Sequence, residues 1–165
     1  MYQLINNRDL EFQLYELFDV EELFSRDRFS EHNKETFDAV LQTAEKIATK
    51  HFLPHNHLAD QNEPKFVDGK VEMIASVKEA FDAFREAGFI AGGMEYELGG
   101  MQLPFLITLA ATGYFTSANP STTGYGFLTT GAANLIRTFL KSTFLSLAMQ
   151  PYFFLPPLII NFTLH

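Results

Sequence analysis

Phe37-Asp38-Ala39-Val40-Leu41-Gln42-Thr43-Ala44-Glu45-Lys46-Ile47-Ala48 decides how the rest of the chain is read. Its apolar side chains, Phe37, Val40, Leu41, Ala44, Ile47 and Ala48, recur in steps of three and four, with Glu, Lys and Gln between them. Such steps return to the same side of an α-helix, so this is one apolar stripe with a charged back. The spacing predicts a helix over residues 33–52, closed before Pro54, whose ring nitrogen has no hydrogen to donate. Upstream, Leu10, Leu14, Leu17 and Phe18 fall at helical spacing, and Val20, Leu23 and Phe24 follow Asp19, which reads as a cap. Downstream, residues 55–70 read as a polar connection ending in Asp68-Gly69, a good turn dipeptide. Ile74, Val77, Phe81 and Phe84 predict a further helix that Gly88 terminates, with Ser76 and Glu79 spaced for a capping box.

Residues 103–117 and 122–139 predict two more helices, apolar on most sides and rich in Ala, Gly and Thr. Helices apolar all round belong in an interior. No stretch shows convincing strand alternation and there is no internal repeat, so the expected fold class is all-α.

Charge divides the chain. Its 165 residues carry 12 Lys+Arg and 20 Asp+Glu, a net charge of −8, and no cysteine. All the acidic residues lie between Asp9 and Glu97, whereas residues 98–165 hold only Arg137 and Lys141. Charges are costly to bury unpaired, so a stretch this poor in them is expected to be covered by something. The acidic balance argues against a nucleic-acid binder, which needs a basic face to displace counterions. Without cysteine there is no disulfide, thiolate metal site or catalytic thiol. The opening residues show no basic stretch leading into an apolar run, which predicts no secretory leader and a cytoplasmic protein.

Four groups of residues have the chemistry of a site, and each has a plainer reading. His51, His55 and His57 lie near Asp60, but Pro54 interrupts the helix between the first two and no further ligand pattern is visible; they read as solvated loop histidines, and no metal is expected. Gly92-Gly93 and Gly99-Gly100 lack the Lys and Ser/Thr of a phosphate cradle and read as a tight turn using positive φ. Glu21-Glu22 and Glu95/Glu97 have the chemistry of an acid–base pair but read as a solvated face. Ser121, Thr122 and Thr123 read as the cap of the last helix.

The order of segments nevertheless resembles the N-terminal region of the acyl-CoA dehydrogenase family, in its longer bacterial form. Asp9-Leu10-Glu11-Phe12 and Val20-Glu21-Glu22-Leu23 resemble its lead-in helix, and Ala44-Glu45-Lys46-Ile47-Ala48 with Leu53-Pro54 its next helix. Lys78-Glu79-Ala80-Phe81 and Phe84-Arg85-Glu86-Ala87-Gly88-Phe89 are similar to the helix after that. Glu97-Leu98-Gly99-Gly100-Met101-Gln102-Leu103-Pro104 matches a family Glu-Tyr-Gly-Gly-x-Gly-Leu-Pro, with Gln102 in place of the last glycine, which predicts an altered turn. Ser117-Ala118-Asn119-Pro120 and Tyr125, Leu128, Thr129, Gly131 and Ala132 resemble the next helix pair.

The resemblance implies α,β-dehydrogenation of acyl-CoA thioesters, with FAD as hydride acceptor, a glutamate base, a homo-oligomeric parent and an electron-transfer partner. The base and the middle β-domain have no counterpart in the matched residues, so the resemblance implies a fragment, inactive alone, with no catalytic residue of its own. Tyr125, Leu128, Thr129 and Gly131 are carried over as candidate walls of the acyl pocket and flavin site. The implied organisation is a lead-in (1–30), the N-terminal helical domain (31–139) and an out-of-family tail (140–165).

That tail departs from the family after Phe139. Residues 142–164 form a 23-residue run without charge, long enough to span a membrane, but Pro151, Pro156 and Pro157 interrupt it. A frameshifted or otherwise out-of-family tail is the expectation, and a membrane association is not. The competing reading is a non-catalytic helical module that associates through its apolar C-terminal half.

Overall fold

A computed structural model describes residues 3–139, and they form an all-α arrangement with one small hairpin. The helices are α1 (Asn7–Glu11), α2 (Lys34–Ile47), α3 (Asn56–Gln61), α4 (Ala75–Glu86), α5 (Phe105–Ala118) and α6 (Pro120–Phe139). The expected tail lies outside the described residues.

The core is the seam between α2 and α5. Phe37, Leu41 and Ala44 of α2 are buried against Ile107, Ala111, Phe115 and Ala118 of α5. Alanines on both sides let the two backbones approach closely. Asn33 caps α2, accepting the Thr36 N–H at 2.8 Å while Thr36 Oγ1 accepts the Asn33 N–H at 2.9 Å. After Ile47 the helix widens into a π turn over Ala48–Phe52, then tightens into a 3₁₀ turn at Leu53–His55 that accommodates Pro54. Phe52 is thereby delivered into an aromatic cluster, with its ring 5.0 Å from Phe115 and 6.3 Å from Phe84.

Several expectations fail here for identifiable reasons. Residues 55–70 are not only a connection: they hold α3 and the first strand of a hairpin, β1 (Lys65–Val67) paired antiparallel to β2 (Lys70–Glu72). Each strand is three residues long, too short for alternation to register in the sequence. Its turn is the expected one, with Asp68 and Gly69 at φ 49° and 79°, a combination that matches strand twist. Asp19 caps nothing through its side chain; it sits left-handed at φ 44° and redirects the chain between a π turn and a 3₁₀ turn. No capping box forms at Ser76 and Glu79, because α4 begins at Ala75, two residues before a Ser76 cap would start it, from an uncapped Ile74. Gly88 does end α4, at φ 82°.

The N-terminal segment is tied onto this core by polar contacts. Tyr15 donates to Asp38 at 2.6 Å, Lys34 pairs with the other Asp38 oxygen at 2.6 Å, and Tyr114 donates to Asn7 at 2.9 Å. Burial, then the Asp38 carboxylate, raises the Tyr15 hydroxyl well above its ordinary pKa, so it stays a donor.

Candidate functional site

Between α5, α6 and the glycine-rich loop lies a cavity of about 710 Å³. Its inner end is the aromatic cluster: Phe84 and Phe89 stack on each other and meet Phe115 edge-on at 4.9 and 5.1 Å. Gly126 permits this closeness, since a Cβ there would lie 3.0 Å from the Phe84 ring. Its outer end is an ionic cluster. Arg137 and Arg28 both donate to Glu95 Oε1, at 2.5 and 3.1 Å, and Arg28 also donates to the Gly93 carbonyl at 3.2 Å.

The loop that supplies Glu95 owes its shape to two adjacent glycines with different duties. Gly99 adopts φ 76°. Gly100 has no room for a side chain, because a Cβ would fall 2.1 Å from the Met94 carbonyl oxygen. The positive-φ reading therefore holds at Gly99, while Gly100 answers to close approach. Gln102 is itself left-handed at φ 52°, and its N–H reaches Met94 O at 2.8 Å, so glutamine takes up the conformation expected of glycine.

Glu95 is not part of a solvated face. Burial pushes its pKa up, but hydrogen bonds from Arg137, its own backbone N–H and Arg28 outweigh that and hold it down to about 2. A carboxylate so fixed in its ionised form is a structural anion, unsuited to proton transfer near neutrality. Glu21 and Glu22 are exposed, as read from the sequence.

His55 is likewise not a solvated histidine. It is 4% exposed, with Nδ1 2.7 Å from the His51 carbonyl and Nε2 2.9 Å from Thr122 Oγ1. A carbonyl only accepts, so Nδ1 donates to His51, and Nε2 shares a hydrogen bond with the Thr122 hydroxyl. Among the described residues no three His, Cys, Asp or Glu side chains gather as a metal site. With Thr122 engaged in this way, the cap of α6 falls to Asn119, whose Oδ1 accepts the Thr122 N–H at 3.1 Å. Ser121 and Thr123 bond back to Asn119 instead of capping.

The four carried-over positions do not converge. Gly131 lines the large cavity, and a Cβ on it would meet nothing within 4 Å. Tyr125 lines a separate cavity of about 280 Å³ beside Pro120 and Thr122. Thr129 donates to the Tyr125 carbonyl at 2.9 Å, and Leu128 is 70% exposed. Arg28, Asn134 and Arg137 were missed by the sequence reading, although an isolated Arg137 in a charge-poor half was the available signal.

Comparison with curated proteins finds 29% identity over 119 residues with the broad-specificity linear acyl-CoA dehydrogenase FadE5 of Mycobacterium tuberculosis (strain ATCC 25618 / H37Rv). The likeness is to an acyl-CoA dehydrogenase. It covers 70% of this chain but only 19% of that relative's length. No protein-family model matches the chain. Among the described residues no helix is long and apolar enough to cross a membrane.

Proposed function

We propose that this chain is the N-terminal helical portion of an FAD-dependent acyl-CoA dehydrogenase, contributing wall to the acyl pocket and the flavin face and inactive alone. The observation that carries the reading is the 119-residue match to an acyl-CoA dehydrogenase, the family that the ordered motifs from Asp9 to Ala132 resemble. The parent would be a cytoplasmic homo-oligomer that passes electrons to a partner protein.

The described residues suit one side of such a site and not a whole flavin site. Phe127 and Leu128 present an exposed apolar surface on α6, while the Thr129 hydroxyl is committed to a backbone carbonyl, leaving few donors for a flavin ring. Among the described residues that line the cavity there is no carboxylate. The purified 165-residue chain is therefore expected to show no acyl-CoA turnover with an electron-transfer dye; measurable turnover would sink the claim of inactivity. Reading the coding DNA past the Phe139 codon in all three frames tests the parentage. A frame in which the resemblance to the family continues past Phe139 supports it, and its absence from every frame counts against it.

A second reading rests on a separate observation: Phe105, Leu109, Phe127, Leu128 and Leu135 are each more than half exposed. An apolar face of this kind suits a non-catalytic helical module that associates with another subunit. Light scattering coupled to sizing separates the cases in part, since a soluble monomer speaks against the module. Flavin absorbance that co-purifies with the chain speaks for the dehydrogenase.

A further inference from the structure

We propose that the outer side of α6 is covered by residues 142–164 of the same chain, the uncharged run that lies outside the described residues. This goes beyond the dehydrogenase reading, since face and run both belong to this chain and neither depends on its parentage.

The face comes from the sequence of α6. Phe127, Leu128 and Leu135 are each more than half exposed. Leu128 and Leu135 are seven residues apart, about two turns, so they stand on one side of the helix. From Phe127 to Thr138 no exposed position is charged. Arg137, the one ionised side chain in that stretch, is only partly exposed and is held by Glu95. Single exposed leucines are ordinary, but a helix side that joins three large apolar residues to an absence of charge is surface that proteins cover. The stripe also leads to a definite place. Leu135 is one turn from Phe139, the last described residue.

The run beyond it has the matching chemistry. Residues 142–164 hold no charged side chain and include Phe153-Phe154-Leu155 and Leu158-Ile159-Ile160. Reach is no obstacle. With 20 residues α6 is about 30 Å long, and the run measures about 35 Å even at helical rise and more if extended. Covalent continuity decides the occupant. A segment joined to α6 by the chain itself meets it at an effective concentration on the order of mM, far above that of a second copy at about μM.

The chain has no tryptophan, so Leu135→Trp in the full 165-residue chain gives one indole whose emission reports its surroundings. Short-wavelength emission is expected, unchanged over about a hundred-fold range of protein concentration. Adding Leu155→Lys and Ile159→Lys is expected to shift it to the wavelength of an indole in water, because an ammonium resists burial in an apolar contact. Leu17→Trp is the control: that position is equally exposed on the N-terminal segment, and its emission is expected to be water-like with or without the lysines. The helical far-UV signal shows that the lysine chain is folded; should it be lost, Leu155→Asn with Ile159→Asn repeats the comparison without added charge. Water-like emission from Leu135→Trp in the otherwise unaltered chain would overturn the proposal. So would short-wavelength emission that survives the tail substitutions, that fades on dilution, or that Leu17→Trp shows equally. Fading on dilution would assign the face to a second copy. Because no outcome depends on turnover, failure here leaves the dehydrogenase reading standing.

Discussion

Helices α2 and α5 are both 14 residues long and pack on one another, yet they treat their outer sides in opposite ways. α2 buries Phe37, Leu41 and Ala44 and turns Glu35, Gln42 and Lys46 to water. α5 buries Ile107, Ala111 and Phe115 equally well but leaves Phe105 76% and Leu109 53% exposed. α2 begins at a side-chain capping box, α5 at Pro104 with no side-chain cap. Burial on one side is common to both. What differs is that α2 is finished for solvent, whereas α5 and α6 present surface that only an apolar neighbour or ligand would satisfy.

The largest expected effect breaks or sharpens this contrast within a single helix. Phe115→Ala removes a fully buried ring from contact with Phe52, Phe84 and Phe89 and is expected to cost about 3–5 kcal/mol in denaturant unfolding. Phe105→Ala, ten residues earlier, should change stability by less than about 0.5 kcal/mol, as for an ordinary surface site. Comparable losses at the two positions would mean that the outer face of α5 is already covered in solution.

Next in size comes the polar link between the Pro54 break and α6. Thr122→Val keeps the shape but leaves His55 Nε2 buried without its partner, at an expected cost of about 1–3 kcal/mol. Thermal melts of the variant and the original chain give the difference. A loss below a few tenths would show that His55 finds another partner.

The ionic cluster predicts a smaller, pH-dependent effect. Glu95 has a folded pKa held to about 2 against an ordinary 4.5, so its stabilisation is complete above the unfolded value and lost as pH falls toward 2. With the side chain partly exposed, the contribution is about 1 kcal/mol. Unfolding free energies measured from pH 6 to pH 2 should fall less steeply in Glu95→Gln than in the original chain. Parallel curves would place Glu95 outside the acid response.

Periodicity made much of this fold legible, and the exceptions share a physical cause. α2 and α4 stand where steps of three and four placed them, because each buries one apolar stripe, whereas α5 and α6 were legible from their apolar, charge-poor composition and yet leave large apolar side chains exposed. The hairpin, the π turns and α3 were not legible, since three to six residues carry too little pattern to distinguish one backbone from another. Of the four carried-over positions, Gly131 lines the large cavity and Tyr125, Leu128 and Thr129 do not. The roles of His55, Thr122 and Glu95 were misread, because exposure depends on partners distant in sequence: Thr122 is 67 residues from His55, and Arg137 is 42 from Glu95.

Gln102 offers the smallest and most discriminating test, because three effects of similar size oppose each other there. Holding a non-glycine residue left-handed costs about 1–2 kcal/mol, which Gln102→Gly would relieve. The same substitution removes the side-chain bond from Nε2 to the Arg28 carbonyl at 2.6 Å, worth about 0.5–1.5 kcal/mol. It also frees the unfolded chain, at about 0.5–1 kcal/mol. The balance is expected to lie within about 0.5 kcal/mol of zero. Gln102→Ala keeps the left-handed strain and loses the bond, so it should be destabilised by about 1 kcal/mol. Glycine proving clearly worse than alanine would mean that the loop does not hold residue 102 at positive φ. The expected order, with glutamine and glycine near equal and alanine below both, would show how a side-chain anchor to the Arg28 segment replaces a glycine in a turn that needs one.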